Sequence, residues 1–397
     1  MSSSVTLSAA TRQNLLSLQD TSALTATTQN RLATGLKVSS ALDNPVNFFT
    51  AQSFNSRSGD LGALLDSISN GIQTIQAANQ GITSIQKLID SAKSTANQAL
   101  STQITTTGTA ANDFTATTNA TVTFYVNGAS KTATIATGDT IDTAITALNT
   151  QAGSTMFSKD TTGKKIVLNA SAAIEFATTG GQTALGFTAG TGSATANKYG
   201  TGNAAASNSA NLTISGVETR NKLAEQYNSL LIQITQLAKD SSFNGVNLIS
   251  NGDPSNKLHI AFNERDTANL DVQGQDLTAD GLDLDPITGN SGSTVNGQGN
   301  FLLDADIKGT LTSLTGASDT LRTASSTFGS NLSVVQNRQD FTKRLVNILD
   351  TGASNLTNAD LNEEAANSQA LSTRQSLGIS ALSLANQAQQ GILQLLR

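Results

Sequence analysis

The chain has no cysteine and no tryptophan, a single histidine and three prolines in 397 residues. Without cysteine there are no disulfides, no thiolate nucleophile and no cysteine metal ligands. Such a chain tolerates oxidising surroundings, or export in an unfolded form, without crosslinking. The one histidine, His259, sits in the strand-like run KLHIAF and lacks the partners a catalytic or metal-binding constellation needs, so it reads as structural. Charged residues make up only 13%, and a net charge of −6 offers no basic footprint for nucleic acid or an anionic membrane. No run of apolar residues is long enough to span a bilayer. The start, MSSSVTLSAATRQNLL, lacks the basic and then apolar regions of a secretory signal peptide, so export is expected to use another route. No cofactor site, no metal site and no enzymatic activity are expected.

What is present is helical periodicity at both ends. Leu61, Leu65, Ile68, Ile72, Ile75, Ile82, Ile85, Ile89 and Ala92 follow one another at helical spacing, while Asn70, Gln73, Gln76, Gln80 and Lys87 form a polar face. A second stripe runs from about Val217 to Leu237 through Leu223, Tyr227, Leu230 and Ile234. A third runs from about Ile307 to Leu349 through Leu311, Leu314, Leu321, Phe328, Leu332, Val335 and Leu345. Three such stripes close a helical bundle.

The middle follows another rule. TVTFYV, Thr121 to Val126, alternates, and NGAS at Asn127 to Ser130 is a turn signal before the second alternating run KTATI. Asp139 or Thr140 then caps a short helix burying Ile141, Ala144, Ile145 and Leu148, and KIVLN follows the turn DTTG. These pieces predict an inserted ββαββ-like domain over about 106–205. Region 250–300, with LHIAFN, ANLDVQ and GLDLDPITG, is expected to hold short strands. Asp280, Asp283 and Asp285 do not match an EF-hand loop and read as a solvated turn.

The C-terminal segment from Leu361 to Arg397 is apolar at helical spacing, and its last twenty residues carry no charge before Arg397. Its small residues Gly378, Ala381, Ala385, Ala388 and Gly391 allow close helix approach, and the absence of charge avoids burying unpaired ions. At the other end Leu15, Leu18, Leu32 and Leu36 lie on one line interrupted by Ser22, Thr25 and Gln29. Neither stripe buries enough apolar surface to order itself, so each needs the other and stripes from neighbouring copies. Both ends are therefore expected to fold on assembly. A repeating contact that does not close gives an open helical polymer.

Three stretches together resemble bacterial flagellin: NRLATGLKVSSALDNPVNFFTAQSF at Asn30 to Phe54, FNGVNLI at Phe243 to Ile249, and the ending ANQAQQGILQLLR at Ala385 to Arg397. The middle insert is similar to the small β-rich motif of hook-associated and filament proteins. The resemblance implies an α+β protein in which long antiparallel, coiled-coil helices from both chain ends form a bundle, with a β-hairpin region and the insert facing solvent. It implies a N-terminal core helix over 1–42, first middle-shell helices over 43–105, the insert over 106–205, a second middle-shell helix with the β-rich region over 206–300, a third middle-shell helix over 301–354 and a C-terminal core helix over 355–397.

Carried over to this sequence, the assembly core is Leu15, Leu18, Leu32, Leu36, Leu371, Leu382, Ala385, Ile392 and Leu396, and Pro45 marks the hinge between shells. The implied role is a non-enzymatic motility-filament subunit, located outside the cell. Its implied partners are other flagellin subunits, the flagellar type III export apparatus and its chaperone, and the filament cap and hook-associated junction proteins, with no nucleic acid and no membrane. A hook–filament junction protein, or a secreted binding module or adhesin working through the insert, are the alternatives. One departure stands out. Where many flagellins carry Q-R-x-R-E-L, read by an animal innate immune receptor, this chain has Gln86, Lys87, Leu88, Ile89, Asp90 and Ser91. Losing the second arginine removes a planar, multidentate donor, so recognition is expected to be weak.

Overall fold

The computed structural model describes residues 9–127, 129–190, 195–196, 204–205, 209–287, 301 and 303–395. The chain is α+β. Its helices are α1 (Ala9–Thr34), α2 (Pro45–Ser101), α3 (Ile141–Ala152), α4 (Thr179–Ala184), α5 (Val217–Asp240), α6 (Asp304–Thr357) and α7 (Leu361–Leu395). Its strands are β1 (Thr105–Thr109), β2 (Ala120–Val126), β3 (Ala129–Ile135), β4 (Phe157–Lys159), β5 (Ile166–Ala170), β6 (Ile174–Phe176), β7 (Thr195–Ala196), β8 (Ala204–Ala205), β9 (Leu212–Ser215), β10 (Lys257–Ala261) and β11 (Asn269–Gln273). The chain divides into two compact units, one of residues 1–69, 261–269 and 337–397, the other of residues 70–260 and 270–336.

In the second unit the long helices carry a coiled-coil seam. On α2 the residues Ile75, Ile82, Ile89 and Ala96 are buried at seven-residue spacing, with Ile72, Ile85, Ala92 and Ala99 beside them. On α6 the buried line is Ile307, Leu314, Leu321, Phe328 and Val335, again every seventh residue. The two helices run antiparallel, because Gln86 donates to Ser318 Oγ at 2.9 Å while Ser325 meets Asn79 at 3.4 Å. On α5 the buried residues are Val217, Arg220, Leu223, Ala224, Tyr227, Leu231, Ile234 and Ala238. Leu230 and Leu237, which the spacing placed on that stripe, are only half-buried: the inward face turns by one residue in the second half of the helix.

The insert departs from a simple ββαββ unit. The expected order β2, β3, α3, β4, β5 is present, but the strands belong to two antiparallel sheets, β3-β2-β6 and β4-β5-β1-β9. Three strands of these two sheets were hidden in sequence. β1 is TTTGT, with no apolar alternation; its one buried residue, Thr106, is satisfied there because its hydroxyl donates to Ala172 O at 2.8 Å and accepts from Ile174 N at 3.0 Å. β6 and β9 are only three and four residues long, and β9 lies beyond residue 205. The scarce aromatics concentrate here: Phe124 meets Phe157 edge to face at 5.7 Å, and Phe176 lies 6.3 Å from Phe124 and 6.2 Å from Phe187. Thr140, not Asp139, caps α3, accepting from Thr143 N at 3.3 Å, and Ala144 and Leu148 are its buried residues.

FNGVNLI forms a tight turn in which Phe243 and Val246 exchange both backbone hydrogen bonds. Asn244 and Gly245 carry φ of 49° and 79°, the pair of positive values a type I′ turn demands. LHIAFN and ANLDVQ supply β10 and β11, which pair with one another. The described part of GLDLDPITG is turn and irregular backbone instead of the expected strand. Burial does alternate, with Leu282 and Leu284 inside and Asp283 exposed between them, but Asp283 adopts φ 55°, which takes the backbone out of the extended region, so the segment turns over its leucines.

Candidate assembly interface

Within the first unit α1 and α7 pair antiparallel: Leu18 approaches Gly378, Arg31 reaches Glu364, and Leu36 bridges Asn358. The terminal segments, expected to lack order in an isolated chain, thus have a partner inside their own chain.

The inward line of α7 is Glu364, Leu371, Gly378 and Ala385, every seventh residue, flanked by Ser368, Gln375 and Leu382. On α1 the matching lines are Thr11, Leu18, Thr25, Leu32 and Asn14, Thr21, Thr28. Threonines can occupy such a seam because their hydroxyls bond back to their own helix. Thr21 donates to Ser17 O at 2.7 Å and Thr25 to Thr21 O at 2.8 Å, which leaves the methyl groups to pack. Gly378 admits Leu18: a β-carbon there would stand 2.7 Å from Leu18 Cδ1. Glu364 is almost fully buried; its Oε1 accepts from Arg31 Nη1 at 2.9 Å, while Oε2 has no hydrogen-bond partner among the described residues.

Of the assembly residues expected from sequence, Leu18, Leu32, Leu371, Leu382 and Ala385 lie on this seam. Leu15 is off it and exposed, and Leu36 forms the bridge to Asn358 beyond the end of α1. The Ile392 side chain and Leu396 lie outside the described residues. Sequence reasoning passed over a second set, the outward apolar residues. Leu16 is 60% exposed, Leu24 54%, Leu377 66% and Leu384 72%. Leu377 and Leu384 share one face of α7 at seven-residue spacing, a stripe that nothing in the chain's described residues covers. The signal was there: the helices are apolar on more than one face.

The joint between α1 and α2 is built from hydrogen bonds. Lys37 and Val38 amides donate to Thr357 O at 2.7 and 3.2 Å, and the Ala359 amide returns to Gly35 O at 2.8 Å. Asp43 Oδ2 accepts from the Ser39 amide and hydroxyl, both at 3.0 Å, and from the Ser40 amide at 3.0 Å. The Ser39 hydroxyl above all, with the Ser40 and Ser39 amides, holds the Asp43 carboxyl below the ordinary carboxylate range. Pro45 is the first residue of α2, where its missing N–H costs nothing, and Asn44 caps the helix by accepting from Asn47 N at 3.1 Å.

His259 Nδ1 is 2.5 Å from Asp271 Oδ1, and Lys257 Nζ is 2.9 Å from Asp271 Oδ2, an exposed cross-strand cluster. Among the described residues no group of histidine and carboxylate side chains is arranged to hold a metal ion, and no helix is long and apolar enough to cross a membrane. In the altered receptor stretch, Lys87, Asp90 and Ser91 are exposed, Gln86 is bonded to Ser318, and Ile89 is fully buried in the α2 seam.

Two family models match. The bacterial flagellin N-terminal helical region matches residues 5–120, and the bacterial flagellin C-terminal helical region matches residues 311–396. Together these hold α1, α2, most of α6 and α7. Flagellin FljM of Caulobacter vibrioides is 36% identical over 177 residues, covering 45% of this chain and 60% of that protein. Flagellin FljJ of the same organism is 31% identical over 180 residues, covering 45% and 61%. Flagellin B of Rhizobium meliloti is 28% identical over 198 residues, covering 45% of this chain and 49% of that protein. The chain thus spans about 60% of the length of the first of these relatives, and its insert lies largely outside the matched regions. With both terminal helical regions matched and those helices paired in the structure, the chain belongs to the bacterial flagellin family.

Proposed function

We propose that the protein is a structural subunit that polymerises through its paired terminal helices into the extracellular bacterial flagellar filament used for motility. The observation that carries this reading is the α1–α7 pair: its seam is filled within the chain, while Leu377 and Leu384 face outward from one side of α7 and Leu16 and Leu24 stand exposed on α1. Large exposed apolar side chains on a paired helix mark a surface that another chain covers. In a homopolymer that other chain is the next copy. Pro45, with the bonded segments 35–38 and 357–359, is the hinge in this reading. Transit through the flagellar type III export apparatus with its chaperone, and contacts with the filament cap and hook-associated junction proteins, belong to the same proposal. The lack of cysteine suits passage as an unfolded chain.

The test compares the full-length chain with Leu377→Ser/Leu384→Ser, two outward positions whose loss leaves the α1–α7 seam in place. Seeded with short filament fragments, the full-length chain is expected to give long tubes of uniform width by negative-stain microscopy. The double variant is expected to keep its helical circular dichroism and to elongate poorly. A variant that elongates as well as the parent would sink the reading of this face. A parent that stays monomeric on seeds would favour a junction protein instead.

A further inference from the structure

We propose that Arg220 is the positioning residue that joins the β-rich insert to the helices on which it stands. The insert leaves and returns at one place. α2 ends at Ser101 and the chain passes through Thr102 to Ile104 into β1, while β9 ends at Ser215 and passes through Gly216 into α5. β1 and β9 pair antiparallel with Thr105 opposite Ser215, so the two crossings lie side by side.

Arg220 is one turn into α5 and only 4% exposed. Its Nε donates to Thr102 O at 2.8 Å and its Nη2 to Asp304 Oδ1 at 2.8 Å. The first acceptor lies just past the C-terminus of α2, where unsatisfied carbonyls carry partial negative charge; the second sits on the first residue of α6, where helix amides carry partial positive charge. The carbonyl end of α2 thus favours the guanidinium, and the Asp304 carboxylate is favoured both by the opposite charge of Arg220 and by the N-terminus of α6 at which it sits. One planar guanidinium holds three elements together, which the point charge of a lysine does not reproduce.

The surroundings leave little alternative geometry. Gly216 adopts φ 90°, and a β-carbon there would collide with Gln103 O. Ile104, Ala173 and Val217 form a small apolar cluster at the same crossing, separate from the insert's main core. Three buried apolar residues with Ile214 beside them make a small anchor for a two-strand crossing, so the ion pair sets the direction in which the insert leaves. A polar cleft of about 260 Å³ beside the pair is lined by Gln103, Asn127, Ser171, Arg220 and Asp304. It has room for a small cation once the arginine side chain is gone.

Hydrogen exchange of the full-length chain by mass spectrometry tests this. In Arg220→Ala, amides of β1, β9 and the last turn of α2 are expected to exchange about tenfold faster, while those of the β2–β3 hairpin, held by the phenylalanine core, stay unchanged. Millimolar guanidinium chloride is expected to restore part of that protection, and sodium chloride at the same concentration none. Asp304→Asn keeps the arginine in place and is expected to give a smaller, several-fold rise in the same peptides. Acceleration spread evenly over the chain, or none at the crossing, or equal rescue by both salts, would overturn the proposal.

Discussion

Gly81 of α2 touches Ser241 and Ile249: a β-carbon added at residue 81 would stand 2.7 Å from Ser241 Cβ and 2.7 Å from Ile249 Cδ1. A glycine inside a helix costs up to about 1 kcal/mol against alanine, and here that cost permits close approach by the chain just after α5. Gly81→Ala is therefore expected to destabilise the protein by about 1–3 kcal/mol despite its better propensity. Gly59→Ala, on the same helix with nothing within 4 Å, is expected to stabilise it by about 0.5–1 kcal/mol. Urea denaturation of the two variants decides the matter, and equal shifts of the same sign would contradict the packing described.

Arg31 and Glu364 form the one ion pair between α1 and α7 among the described residues. Arg31→Ala leaves a buried carboxylate without its donor and is expected to cost about 1–3 kcal/mol. Adding Glu364→Ala on top should recover part of that loss, because the uncompensated charge is then gone. A double-mutant cycle measured by denaturant unfolding checks it, with additive losses as the contrary result.

Tyr227 is fully buried against Phe301, and its hydroxyl has no hydrogen-bond partner among the described residues. Burial first, and the nearby Asp285 carboxylate second, push its pKa up from 10.0. In the unfolded chain the phenol ionises above pH 10.0, whereas in the folded protein it stays protonated, so stability is present below that pH and falls above it. Tyr227→Phe is expected to leave stability at neutral pH equal or slightly higher and to flatten this alkaline fall. Thermal melts from pH 8 to 11 give both readouts.

Asp160 shows the opposite sign. The Thr162 hydroxyl, then the Lys165 and Lys164 amides, hold its carboxyl down at about 2 from 3.8. The stability this gives the turn before β5 is present above 3.8 and is lost as pH falls toward 2. An NMR titration should find Asp160 still ionised below pH 3.8, and Asp160→Asn should abolish the turn's acid response in that window.

Recognition by the innate immune receptor is expected to be weak in a reporter-cell assay with purified monomer. Restoring an arginine by Ile89→Arg is not expected to help. Residue 89 is fully buried in the seam, so the new charge should cost about 3 kcal/mol or more and loosen α2 before it reaches any partner. Full potency of the unaltered chain would refute the first expectation, and a stable, potent Ile89→Arg variant the second.

The sequence by itself determined the long helices, the hairpin and the family, but not the short α4. Seven-residue recurrence such as Ile75, Ile82, Ile89 on α2 and Ile307, Leu314, Leu321 on α6 leaves a helix one face to bury, and Asn244-Gly245 admits both positive φ values of a tight turn. Tertiary structure decided what has no local signature. β1 is a strand because it pairs with β5 and β9 and its Thr106 hydroxyl bonds to Ala172 and Ile174 beyond its own sheet, contacts that a run of threonine and glycine cannot announce. The α1 seam accepts threonine because the Thr21 and Thr25 hydroxyls are satisfied by their own helix, so its burial escapes any count of apolar residues. Which apolar residues of α7 face α1, and which face outward, also needed the fold. A helix apolar on several faces has several self-consistent orientations, and only the approach of Leu18 to Gly378 and of Arg31 to Glu364 selects one.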